Sequence, residues 1–79
     1  MSESVRELDA RGLRCPMPLL KLKQALHGMA HGEEIEVWTT DPGSVRDFNA
    51  FLRQCGHQLM DMNEGPQEFY FLIRKKPEE

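Results

Sequence analysis

The residues best suited to chemistry are Cys15 and the two prolines that follow it, in the run Leu13-Arg14-Cys15-Pro16-Met17-Pro18. A thiol is a weak nucleophile and a thiolate a strong one. An unperturbed cysteine has a pKa of about 8.5, so only about 3% is ionised at pH 7. Placing the sulfur at a helix N-terminus favours the anion by about 0.3–1 kcal/mol. Arg14 and Arg11 stand close in sequence and are expected to add to this, so a modestly lowered thiol pKa is predicted. Thiol exchange is fastest when the pKa lies near ambient pH. The second cysteine, Cys55, falls on an apolar helical stripe and reads as a small core hydrophobe. The two thiols make neither a CxxC pair nor a disulfide framework.

Other groups carry weaker signals. His27 and His31 are four residues apart, a spacing able to bind metal. No cysteine or carboxylate ligand is obvious beside them, and a solvated pair near a helix C-terminus is the preferred reading, with no metal site. Met60 and Met62 read as packing on one strand face. From Ala10 to Gly32 there are four basic residues (Arg11, Arg14, Lys21 and Lys23) and no acid. Such a block is first of all the wet side of an amphipathic helix. Arg11, Lys21 and Lys23 are also the candidates for docking an acidic partner, because steering needs only local charge.

The elements that must position these residues follow from periodicity and punctuation. Val5 to Asp9 is a short strand, interrupted at Gly12. Leu19, Leu22, Leu26 and Met29 step by three, four and three, one face of a helix that ends near Gly28 or Gly32. Cys15 is expected as its N-cap and Pro16 as its first residue. The prolines remove two backbone donors, and the N–H groups of Met17 and Leu19 are expected to remain free for the sulfur. Ile35, Val37 and Thr39 alternate with Glu34, Glu36 and Trp38 as a half-buried strand. Asp41-Pro42 starts a second helix, with Asp41 as N-cap. Its stripe is Val45, Phe48, Leu52 and Cys55, and Gly56 closes it. Leu59 to Asn63 is a third strand. A turn at Asn63-Glu64-Gly65-Pro66 leads into a fourth, where Phe69, Phe71 and Ile73 alternate with Tyr70, Leu72 and Arg74.

The order is β-α-β-α-β-β, an α/β two-layer sandwich with both helices on one face of a single sheet. The long crossovers imply parallel pairing of the first strands and the short turn an antiparallel hairpin. The opposite sheet face is left partly open, with Trp38, Tyr70 and Leu72 on it. The tail from about Lys75 is expected to fray.

At 79 residues the chain is read as one domain, residues 1–79. So short a chain has little room to enclose a large cofactor, and chemistry belongs at its surface. A net charge of −3 argues against direct nucleic-acid binding. No apolar run approaches the ~18 residues of a membrane span. The N-terminus is not of signal-peptide type, and free thiols fit a reducing cytoplasm.

The pattern Leu8-Asp9-x-x-Gly12-Leu13-x-Cys15-Pro16-x-Pro18 resembles the signature of the TusA/SirA-like sulfur-carrier family. The likeness continues through Asp41-Pro42 to Tyr70-x-Leu72-Ile73-Arg74-Lys75. It implies a mixed four-stranded sheet of order 1-2-4-3 with two helices on one face. It implies that Cys15 accepts sulfane sulfur as a persulfide and relays it. The donor would be a cysteine desulfurase or another sulfurtransferase, and the recipient a downstream sulfur-acceptor protein. In the family such routes serve tRNA 2-thiouridine synthesis, molybdenum-cofactor maturation or dissimilatory sulfur metabolism. The chain would then be a sulfurtransferase-like carrier, a monomer needing no cofactor, and not a stand-alone enzyme. Asp9, Gly12, Leu13, Arg14, Pro16 and Pro18 would support the loop. The rival reading is a non-catalytic regulatory or interaction module, using the open sheet face or the basic helix. A peroxidase or reductase would want a resolving thiol, and Cys55 is poorly placed for that.

Overall fold

A computed structural model describes residues 5–77. The elements are β1 (Arg6–Ala10), α1 (Met17–His27), β2 (Glu34–Thr39), α2 (Gly43–Cys55), β3 (Gln58–Glu64) and β4 (Phe69–Arg74). The four strands form one sheet in the order β1-β2-β4-β3. β1 and β2 are parallel, with Leu8 opposite Val37 and Ala10 opposite Thr39. β4 lies antiparallel to both β2 and β3. This is the mixed sheet that the family resemblance implies.

Alternation along the strands decides which side chains are buried. Ile35 and Val37 from β2 and Phe71 and Ile73 from β4 face the helices, which meet them with Leu22, Leu26, Phe48 and Leu52. The Phe48 and Phe71 rings lie 4.6 Å apart and tilted by 48°. Such a pair adds about 0.5–1.5 kcal/mol beyond its area burial. The stripes read from the sequence are the buried ones, with Leu19, Val45 and Leu59 packed at the margin, except at Cys55, which is half-buried and outside the core rather than the core hydrophobe expected.

The other sheet face carries the alternate residues, and they are paired with one another. Trp38 and Tyr70 stand opposite in register with rings 5.7 Å apart. The Tyr70 hydroxyl donates to Glu36 at 2.7 Å, and Arg74 donates to Glu34 at 2.8 Å. Burial, then the Glu36 carboxylate, pushes the Tyr70 hydroxyl up to about 12.

Several boundaries differ from the sequence reading. α1 begins at Met17 with Pro16 as its N-cap, one residue later than expected. The reason is a turn closed by the Met17 N–H on the Arg14 carbonyl at 2.7 Å. That N–H is therefore spent and not free for the sulfur. α2 likewise has Pro42, not Asp41, as N-cap. The Asp41 carbonyl instead accepts the Ser44 N–H at 3.0 Å and the Ser44 hydroxyl at 2.8 Å. In β3 the register slips between Leu59 and Asp61. This bulge makes Leu59 and Met62 the inward pair and leaves Met60 exposed, so the two methionines do not share a face.

Of the tail expected to fray, residues 78–79 lie outside the described residues, and Lys75 and Lys76 are hydrogen-bonded. The Lys75 N–H donates to the Glu33 carbonyl at 2.8 Å and its carbonyl accepts from Gly32 at 3.1 Å. Its ammonium donates to the Leu26 and Met29 carbonyls at 2.8 and 2.7 Å. Leu26 lies in the last turn of α1, where its carbonyl also accepts the Met29 N–H at 3.1 Å, and Met29 lies just past the helix, so the lysine places its positive charge at the negative end of α1. The Lys76 N–H donates to His57 Nδ1 at 3.0 Å. Val5 and Pro77 line one shallow depression with His31, Glu34 and Arg74. Both ends of the described chain thus lie at the rim where β1 and β2 begin.

Candidate functional site at the carboxyl ends of β1 and β2

Because β1 and β2 run parallel, the segments that follow them emerge at the same rim. That is where sites collect in open α/β sheets. Three bonds tie these two segments together. The Gly12 N–H donates to Thr40 Oγ1 at 2.9 Å. The Cys15 N–H donates to Asp41 Oδ2 at 3.2 Å, and the Cys15 thiol donates to Asp47 Oδ2 at 2.9 Å. Gly12 has φ +84°, a left-handed conformation that glycine adopts without penalty.

The rest of the loop is built locally. Asp9 accepts from the Arg11 backbone N–H at 3.1 Å and from its guanidinium at 2.9 and 3.2 Å. These bonds hold the Asp9 carboxyl below its ordinary pKa. The Leu13 N–H donates to the Ala10 carbonyl at 3.3 Å. Pro18, in the first turn of α1, is fully buried. Cys15 itself remains exposed, at the loop's outer edge.

The electrostatics of the thiol reverse the sequence-based expectation. The Cys15 pKa is raised, first by the hydrogen bond to Asp47, then by partial desolvation of the sulfur by its neighbours and by the negative charges of Asp47 and Asp41. Arg46 opposes this from α2. The thiol's protein hydrogen bond is to a carboxylate, so the anion is disfavoured, whatever the nearby helix end contributes. Arg11 and Arg14 were expected to activate the sulfur. Arg11 is instead engaged with Asp9 and, at 3.5 Å, with Glu68, and Arg14 is not among the groups that shift the thiol. Asp41, Arg46 and Asp47 were missed as site residues. The parallel crossover offered the signal, since it brings the start of α2 beside the loop after β1.

The remaining candidates lie elsewhere. Lys21 is exposed on α1, and the Lys23 ammonium stands 5.4 Å from the centroid of the Phe51 ring. Cys55 is a free, half-buried thiol in a groove of about 380 Å³ with Leu26, Phe51 and His57. His31 Nδ1 contacts the Lys76 carbonyl at 3.0 Å. Among the described residues there is no group of three or more metal-ligating side chains, and no helix long and apolar enough to cross a membrane.

Fold and site together define a class: a small two-layer α/β protein that presents one exposed thiol from a proline-framed loop. Comparison with known proteins makes this specific. Residues 6–75 match the family model described as Sulfurtransferase TusA. The sulfur carrier protein TusA of Allochromatium vinosum is 48% identical over 75 residues, covering 95% of this chain and 99% of the relative. A putative sulfur carrier protein of Neisseria meningitidis serogroup A is 44% identical over 69 residues, 87% of this chain and 93% of that protein. The crystal structure of a SirA-like protein from Desulfitobacterium hafniense superposes with a TM-score of 0.78 at 20% identity, covering 92% of this chain and 99% of that one. The chain belongs to the TusA family.

Proposed function

We propose that this protein is a sulfur carrier that holds sulfane sulfur as a persulfide on Cys15. The observation that carries the reading is the exposed Cys15 thiol at the rim, in a loop fixed from both sides by Gly12–Thr40 and Cys15–Asp41 hydrogen bonds. Relatives named as sulfur carriers support it across nearly the whole chain.

The step is a sulfur analogue of thiol–disulfide exchange. Cys15 Sγ attacks the outer sulfur of a donor's persulfide. A new S–S bond forms at Sγ, and the bond between the donor's two sulfurs breaks. The Cys15 proton ends on the donor sulfur, which leaves as a thiol. The same exchange, with Cys15 now the donor, passes the sulfur to a thiol of the acceptor protein. Neither step consumes an external oxidant or reductant, and the reacting groups are all sulfur atoms. The donor in this reading is a cysteine desulfurase or another sulfurtransferase. The carrier acts as a monomer in a reducing cytoplasm, and tRNA thiolation is one route it would feed. Asp9, Gly12, Leu13, Arg14, Pro16 and Pro18 keep the loop in shape. Lys21 and Lys23, on the exposed side of α1, offer positive charge to the donor.

Incubation with a cysteine desulfurase and L-cysteine, followed by intact mass under non-reducing conditions, tests this. One added sulfur is expected on the parent and on Cys55→Ser, removable by reductant, and none on Cys15→Ser. No gain on the parent, or a gain that persists in Cys15→Ser, overturns it.

A further inference from the structure

We propose that Asp47 is a positioning residue for sulfur acceptance: it holds Cys15 as a docked, neutral thiol until a donor protein displaces its carboxylate. The inference rests on the carrier reading and concerns the regulation of that same site.

Two carboxylates grip one residue. Asp41 Oδ2 accepts the Cys15 backbone N–H at 3.2 Å, and Asp47 Oδ2 accepts the thiol at 2.9 Å. Asp47 is well placed to hold, because it sits on α2 with its side chain only 22% exposed. A carboxylate can only accept, so the contact needs the sulfur to carry its hydrogen. A thiolate there would set two anions against each other at contact distance. The charged groups around the sulfur are Asp41 before α2, Arg46 and Asp47 on α2, and Arg14 on the cysteine's own loop. Arg46 is the counterweight, but its side chain is 86% exposed and its Nε lies 3.9 Å from Asp47. Solvent and salt screen it accordingly.

Such a latch suits an exposed carrier. The unloaded thiol is kept from exchange with stray disulfides, and it becomes nucleophilic where a partner's basic group takes Asp47. During acceptance the S–S bond forms at Sγ, the donor's S–S bond breaks, and the proton that Asp47 had held on Sγ leaves with the donor sulfur. Loading removes the hydrogen from Sγ, so the bond to Asp47 cannot re-form there. The loaded side chain is then free to point its outer sulfur at the acceptor.

The test is the pH profile of Cys15 alkylation by iodoacetamide, read by intact mass in the Cys55→Ser background at low ionic strength. The urea-unfolded chain is the free-thiol reference. The native midpoint is expected above that reference. Asp47→Asn is expected to bring it down towards the reference, because the largest cause of the shift is removed while the Asp41 charge remains. Alkylation at pH 7 is then expected to rise, because the gain in thiolate is only partly offset by its lower nucleophilicity. Arg46→Gln, at an exposed side chain, is expected to move the midpoint the other way, and Asp47→Ser, which also removes the carboxylate, decides the matter if Asp47→Asn fails to fold. A folded Asp47→Asn whose profile superimposes on the parent overturns the latch, as does a native midpoint at or below the reference. Sulfur loading by a desulfurase on the same proteins separates the two ideas. Loading with an unmoved midpoint overturns the latch alone, whereas a moved midpoint without loading overturns the carrier reading and supports the hold on the thiol.

Discussion

Cys15 and Asp47 are 32 positions apart and meet at 2.9 Å. The cysteine's prominence was legible, because a sulfur framed by Pro16 and Pro18 at a strand-to-helix junction is ill suited to be core. The sign of its pKa shift was not. That sign depends on which side chain reaches the sulfur, and the partner comes from the other crossover. Adjacent Arg14 and Arg11 looked decisive only because they were near in sequence. His57 gives a second residue-scale case. Burial, then the charges of Lys76 and Lys75, holds its ring below the ordinary histidine pKa. Its Nδ1 accepts the Lys76 N–H, which requires the neutral ring. Between the folded and unfolded values the unfolded chain binds more protons, so stability rises with pH in that window. The contribution is therefore present above the unfolded value of about 6.5 and lost as pH falls through the folded one. Denaturant midpoints should fall between pH 7.5 and 5.5, and less so in His57→Gln, whose amide oxygen can still accept from Lys76 without titrating.

The elements were read from the sequence to within a residue or two, since their apolar stripes are the faces buried against one another. The errors cluster at helix starts, where hydrogen bonding and not periodicity decides the boundary. Ser44 shows what is at stake there. Thr39 and Ser44 are both buried, and their hydroxyl oxygens lie 2.6 Å apart. Ser44 donates its single hydroxyl hydrogen to the Asp41 carbonyl, so Thr39 must donate to Ser44. This chain links the end of β2 to the first turn of α2, and it fixes Asp41 beside Cys15. Ser44→Ala strands the Thr39 hydroxyl and should cost about 1–3 kcal/mol in chemical denaturation. Adding Thr39→Val should recover part of that loss, because both partners are then removed. The bulge at Met60 had no signature in the sequence, where simple alternation put both methionines on one side.

Across the whole molecule, one apolar cluster joins both helices to the sheet. For a chain of 79 residues, total stability of about 4–12 kcal/mol is expected at typical values per residue. Phe48 is fully buried against Phe71. Phe48→Ala should cost about 3–5 kcal/mol. The denaturant midpoint of equilibrium unfolding should therefore fall sharply, whereas Met60→Ala at the exposed bulge should shift it little. The parallel start and the final hairpin were legible from connection lengths. The placement of β4 between β2 and β3 was not: it came with the family resemblance, because periodicity identifies strands but not their neighbours.

The depression shared by Val5 and Pro77 lies across the sheet from the rim that carries Cys15. A bead or a fluorophore attached at Val5 or Pro77 would accordingly hang behind the molecule and leave the sulfur facing its visitor.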